Sequence, residues 1–214
     1  MQREPIIYLI YTVFFLGLTL AIIAVPLSAF SGGGKEGYDA FAYTCHQKLS
    51  RSLCIFNNLS SWWISDCTAP NGAYVASASD RTGTRAVING VTGYKMPVCA
   101  RDVGLYVSML FAALVYPLVR DIKEKSMYPG IILVLAIAPL AIDGSLQLFS
   151  EIDTPLFGHS ILPFEYESSN AMRLVTGVLA GFAATFYALP ILMNMFGDGE
   201  AAARHAEKKS AKPR

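Results

Sequence analysis

The chain has 214 residues, of which 53% are hydrophobic and only 15% charged, against about 25% charged in an ordinary soluble domain. Its formal net charge is +1 and its mean hydropathy +0.41. No basic stripe interleaved with aromatics runs along it, which excludes nucleic acid as the expected partner.

In chain order, the first apolar run extends from about Ile6 to Phe30, long enough for the roughly 20 residues that cross a bilayer. Arg3 ahead of it and the small residues Ser28-Ala29 resemble a secretory leader. The run exceeds the usual length of a leader core, so residues 1–30 are read as a retained first transmembrane helix. Residues 31–100 are polar and turn-rich and hold all four cysteines, Cys45, Cys54, Cys67 and Cys99. An even number of cysteines confined to one loop points to an oxidising compartment and two disulfides. Of the three possible connectivities a nested one is expected, with Cys45–Cys99 closing the base of the loop outside Cys54–Cys67. A metal site on Cys45, His46, Cys99 and Asp102 is the competing reading, without the spacing of a known motif. Asn71-Gly72, Thr82-Gly83, Asn89-Gly90 and Thr92-Gly93 are turn signals, and the runs 73–75 and 85–88 between them suggest a small hairpin or meander. Trp62 and Trp63 belong either at the membrane interface or in a small core. Asn58-Leu59-Ser60 is an N-glycosylation triplet.

Residues 101–197 contain three more apolar runs, from about Val103 to Val119, Tyr128 to Phe149 and Met172 to Phe196. Arg120, Lys123 and Lys125 make the connection between the second and third runs basic. The tail over 198–214 is basic too, with Arg204, His205, Lys208, Lys209, Lys212 and Arg214. The connection over 150–170 has no lysine or arginine and carries Glu151, Asp153, Glu165 and Glu167, with His159 as a solvated loop residue. The positive-inside rule places the basic segments and both termini in the cytoplasm, and the acidic connection and the cysteine loop outside. The expected fold is an all-α, multi-pass cell-membrane protein: a bundle of four transmembrane helices with a disulfide-bonded extracytoplasmic loop between helices 1 and 2.

Ionisable residues within membrane spans are costly and usually face a bundle interior or a wet cavity. Asp143 and Gln147 lie four apart in the third span, on one helical face, and Glu167, Asn170 and Arg173 are spaced by three at the start of the fourth. Gly177 and Gly181 continue that stripe and permit close helix approach. Cys99, Asp102 and Tyr106 share a face of the second span, with Arg101 beside them. These groups, with His46, are expected to meet at one depth near the outer surface, most simply through an Asp143–Arg173 pair.

Four segments carry a family resemblance. Cys45-His46-Gln47 with Arg51-Ser52, Pro97-Val98-Cys99-Ala100-Arg101 with Gly104-Leu105-Tyr106, Asp143-Gly144 with Gln147, and Glu167-Ser168-Ser169-Asn170 with Arg173 and Thr176-Gly177 resemble, in order, the motifs of domain of unknown function family 2085. That resemblance implies a small polytopic membrane protein of archaea or bacteria with a polar site at its outer end, and no assigned activity. Where the family often has a second cysteine, this chain has Asp102, which weakens a zinc reading and favours disulfides. Cys54 and Cys67 fall in an insertion beyond the family pattern, which supports their pairing with each other.

Two functions follow as expectations. The first is a subunit or scaffold of a membrane assembly, in contact with membrane lipid and with other membrane subunits or copies of itself. The second is an enzyme at the outer face acting on a lipid, isoprenoid or protein thiol. Asp143 or Glu167 would then be base or metal ligand, Asn170 a further site residue, and Arg101 and Arg173 would hold an anionic substrate. No cofactor is required by the sequence, and a metal ion is compatible with it.

Overall fold

The computed structural model describes residues 3–43, 49–58, 60–68, 84–156 and 166–197, with 151–156 described by backbone alone. Cys45, His46, His159, His205, the run 73–75, the turns at 71–72 and 82–83 and the tail beyond 197 lie outside the described residues.

Among the described residues, four helices are long and apolar enough to cross a membrane: α1 (Glu4–Ala29), α3 (Ala100–Val119), α4 (Gly130–Leu156, apolar over Gly130–Ser150) and α5 (Asn170–Phe196). A short α2 (Lys35–Phe41) follows α1. The expected spans therefore coincide with helices, and α4 runs six residues further than the apolar pattern, into the segment read as loop from residue 150.

Helices α3 and α5 approach most closely, and small residues let them. A Cβ on Gly177 would strike the Arg101 carbonyl, one on Gly181 the Leu105 carbonyl and Ser108 Oγ, and one on Gly104 the Leu174 carbonyl. The two backbones are thus in van der Waals contact, as small-xxx-small spacing in apolar helices permits. Helix α1 lies against both: Tyr8 donates to the Ala113 carbonyl at 3.0 Å, and the Tyr11 and Thr185 hydroxyls bond at 3.0 Å. Tyr11, Phe15, Ala112, Ala113, Tyr116, Phe186, Leu189 and Met193 form the shared core. Helix α4 packs on α5 and is otherwise open: 11% of its apolar window is buried, against 50% for α5.

The expectation of an all-α chain is corrected by the cysteine loop, whose described residues include a four-stranded antiparallel sheet. Its strands are β1 (Leu53–Asn57), β2 (Trp62–Asp66), β3 (Arg85–Ile88) and β4 (Val91–Lys95), in the order β2-β1-β4-β3. Two hairpins join through their first and last strands, so the sheet is not a meander. Alternation along β1 explains why it folds here. Cys54 and Phe56 point into a small core with Leu49, Cys67 and Ala86, while Ile55 points to the helices and packs with Ile22, Met96, Val98 and Val103. The Cys54–Cys67 disulfide ties β1 to the end of β2. Asn89 (φ 50°) and Gly90 (φ 78°) make the tight β3–β4 turn, the left-handed pair that a two-residue hairpin loop requires. Thr92-Gly93, expected as a turn, lies inside β4, because the Phe56 ring occupies the space a side chain at Gly93 would need. Trp63 stacks on Phe56 with centroids 5.6 Å apart, and Trp62 meets Phe30 at the end of α1 edge-on at 5.0 Å.

The opposite end is closed by the α3–α4 connection. Arg120 bonds Glu124 at 3.2 Å and the Ser126 carbonyl, and lies 5.0 Å over the Tyr128 ring. Lys125 pairs with Glu4 at 2.9 Å, Asn194 donates to the Lys125 carbonyl at 3.0 Å, and Tyr187 donates to the Pro129 carbonyl at 2.7 Å. The start of α1, the basic α3–α4 connection and the end of α5 thus share one end, and the sheet and the start of α5 share the other.

Candidate functional site

Four separate pieces of chain deliver polar side chains to the sheet end. Arg51 closes a single 3-10 turn (Leu49–Arg51) just before β1. Arg101 follows Cys99, whose extended backbone caps α3. Asp143 and Gln147 stand one turn apart on α4 and are both buried. Ser169 caps α5 by accepting from the Met172 amide at 3.2 Å, which fixes the first turn bearing Asn170 and Arg173.

Asp143 is satisfied on both oxygens. Oδ1 accepts from the Tyr166 hydroxyl at 2.9 Å, and Oδ2 accepts from Arg101 and from Ser168 Oγ at 3.3 Å. The carboxylate therefore pairs with α3 and not, as expected, with Arg173. The Arg101 guanidinium lies against Gly144, one residue on from Asp143. Outside the membrane segments, the hydrogen bond to Asp143 raises the Tyr166 phenol above its ordinary value.

Arg173 is the most deeply placed charge of this cluster, with its side chain 2% exposed. Its nearest partners are neutral. Nη1 donates to Asn170 Oδ1 at 3.0 Å, and Gln147, with its amide oxygen turned toward the arginines, accepts from Nη2 at 2.9 Å and from Arg51 Nε at 2.8 Å. Asn170 Nδ2 reaches the Ser50 and Ser52 carbonyls at 3.2 and 3.4 Å, locking the Arg51 turn onto α5. Glu167 is shared at longer range, 3.7 Å from Arg173 and 3.8 Å from Arg51, and its side chain is 60% exposed, so solvent screens it. Arg173 Nε and Arg101 Nε are buried without a hydrogen-bond partner among the described residues. Burial, and next the like charge of Arg173, lower the Arg51 guanidinium from its ordinary value, while Glu167 and then Cys99 oppose this.

The site is therefore three guanidinium groups around one buried carboxylate and one exposed one. Desolvating a guanidinium costs several kcal/mol unless a counter-charge meets it, and around Arg173 neutral amides take that place. Arg101, Asp143, Glu167, Asn170 and Arg173 meet as the sequence suggested. Cys99 Sγ lies 3.1 Å from Asp102 Oδ2 beside them. The proposed Cys45–Cys99 bond and the metal set with Cys45 and His46 fall outside the described residues. Among the described residues no group of three His, Cys, Asp or Glu side chains is close enough to hold a metal ion. Asn58 stands apart, exposed at the β1–β2 turn, its Oδ1 accepting from the Ser60 and Ser61 amides at 3.2 and 2.8 Å. Sequence reasoning missed Arg51, Tyr166 and Ser168 as site members. Arg51 and Ser168 carried a signal, since they stand in the first and fourth family-like segments.

Residues 87–187 match the family described as Predicted membrane protein (DUF2085). The chain is also 27% identical over 196 residues to the uncharacterized protein MJ1492 of Methanocaldococcus jannaschii, a similarity covering 88% of this chain and 94% of that protein. No solved structure matches. All the site residues except Arg51 lie within the family match.

Proposed function

We propose that this protein, which matches the family of predicted membrane proteins DUF2085 over residues 87–187, binds an anionic group of the phosphate type at its sheet end, on the extracytoplasmic side. The observation that carries this reading is Arg173: a guanidinium 2% exposed whose close contacts are the amides of Asn170 and Gln147 and whose Nε is unpartnered among the described residues. Arg51 and Arg101 complete a set of planar donors suited to several oxygens at once, the geometry in which arginine outperforms lysine. The basic connection Arg120–Lys125 lies at the opposite end with the start of α1, which supports cytoplasmic termini and an outward-facing site.

The test is a thermal unfolding series of the full chain in neutral detergent, titrated with inorganic phosphate at constant ionic strength. A ligand at a hundred times its Kd adds about 2.7 kcal/mol to the folded state. The midpoint rises with phosphate in the wild type and not in Arg51→Gln, a half-buried position outside the helices. Equal shifts in both proteins, or none in either, overturn the reading.

A second reading, a subunit or scaffold of a membrane assembly, is favoured by α4. With only 11% of its apolar window buried, it offers a long face to lipid or to a neighbouring protein. Cross-linking in native membranes through single cysteines on that face tests it: a discrete heavier species supports a partner, and a monomer at every position refutes one.

A further inference from the structure

The seam between α4 and α5 opens into an apolar groove of about 520 Å³ that runs from Val119, Tyr128 and Tyr187, at the α3–α4 connection, toward the arginine cluster. Ile132, Ala136, Val178, Leu179, Phe182 and Ala183 line it. On α4, Ala136, Leu140, Asp143 and Gln147 are spaced four, three and four apart, so the face that carries the groove is the face that carries the site. At 1.5 Å per residue, Ala136 lies roughly 10 Å along the helix from Asp143, and Val178 roughly 7 Å along α5 from Arg173. An apolar slot thus begins within about two helical turns of a buried guanidinium.

Resting on the anion-binding reading, we propose that the ligand is a lipid phosphate with a single apolar chain. Its headgroup would sit among Arg51, Arg101 and Arg173, and its chain would lie in the α4–α5 groove. Charge selects this occupant. Any apolar chain can enter the slot, but a chain ending in a phosphate also supplies a close counter-charge to Arg173, whose hydrogen-bond partners are neutral amides and whose carboxylate neighbour Glu167 is solvent-exposed at 3.7 Å. A free phosphate would satisfy the cluster and leave the slot to bulk lipid. Bilayer lipid competes with the groove for the same chain. The groove therefore adds selectivity by packing and position rather than by hydrophobic transfer.

The experiment measures binding of butyl, octyl and dodecyl phosphate to the full chain in phosphatidylcholine nanodiscs. Ala183→Trp fills the groove, and Arg51→Gln weakens the head site. In the wild type, affinity rises with chain length. Ala183→Trp abolishes that rise, weakening dodecyl phosphate about tenfold while butyl phosphate binds as before. Arg51→Gln weakens all three. Unchanged dodecyl phosphate binding by Ala183→Trp overturns the groove assignment alone. Absent butyl phosphate binding, or an Arg51→Gln protein identical to wild type, overturns the head site and this inference with it. In case Ala183→Trp does not fold, dodecyl phosphate with a diazirine at its chain end is cross-linked to the wild-type protein. Label on Ile132, Ala136, Phe182 or Ala183 supports the groove, and label confined to α1 refutes it.

Discussion

Replacing Asp143 with Asn tests how the site is held together. Both carboxylate oxygens face donors: Tyr166 on one side, Arg101 and Ser168 on the other. An amide keeps one oxygen and turns an NH2 group toward a donor, and it removes the charge opposite Arg101. Breaking a buried ion pair by removing one partner costs about 3–5 kcal/mol. Here the Asp143 side chain is 5% exposed but that of Arg101 is 20% exposed, so solvent recovers part of the loss and about 2–3 kcal/mol is expected. The assay is reversible unfolding in mixed SDS and neutral detergent micelles, followed by circular dichroism. A double-mutant cycle with Arg101→Gln isolates the pair. The double variant should be less destabilised than the sum of the singles by more than about 1 kcal/mol. Additivity within about 0.5 kcal/mol refutes a direct Asp143–Arg101 coupling.

Three further outcomes are expected. Gly177→Ala forces a methyl onto the Arg101 carbonyl, where backbone on both sides leaves little room to yield, and should destabilise by about 1–3 kcal/mol in the same assay. Wild-type stability would show that α3 and α5 can part at no cost. Reducing Cys54–Cys67, which closes a separation of 13 residues, removes about 3 kcal/mol of chain-entropy constraint. Limited proteolysis should then cut within the sheet while the helices stay intact, and equal resistance with and without reductant would contradict this. The raised Tyr166 phenol stabilises the fold in its protonated form, so its contribution is complete below the ordinary tyrosine range near pH 10 and disappears as pH rises through the raised value. The stability gap between wild type and Tyr166→Phe should therefore narrow above about pH 10, and a constant gap through pH 11 refutes the bond to Asp143.

The four spans were legible because runs of that length have few alternatives in any fold. Asn89-Gly90 was legible because few residue pairs accept two consecutive positive φ angles. The sheet was not. Its strands are four or five residues long in a polar loop, and β1 alternates only through Cys54, Ile55 and Phe56. Gly93 shows why a glycine misleads: it serves the Phe56 ring across the sheet, a contact separated by many residues in sequence. For the site, spacing by three and four named the right faces of α4 and α5 but not the partner of Asp143. That choice depends on how near α3 lies, which Gly104, Gly177 and Gly181 set. Arg51 enters through the loop, where no periodicity points to a helix face.

The most direct measurement is native mass spectrometry of the protein released from its own membranes, comparing wild type with an Arg51→Gln, Arg101→Gln double variant. If three guanidinium groups hold an anion, the wild type carries a bound phosphate-bearing lipid that survives gentle activation and the folded double variant does not. A wild-type protein free of such adducts, or equal adducts on both, contradicts an anion site at the arginine cluster.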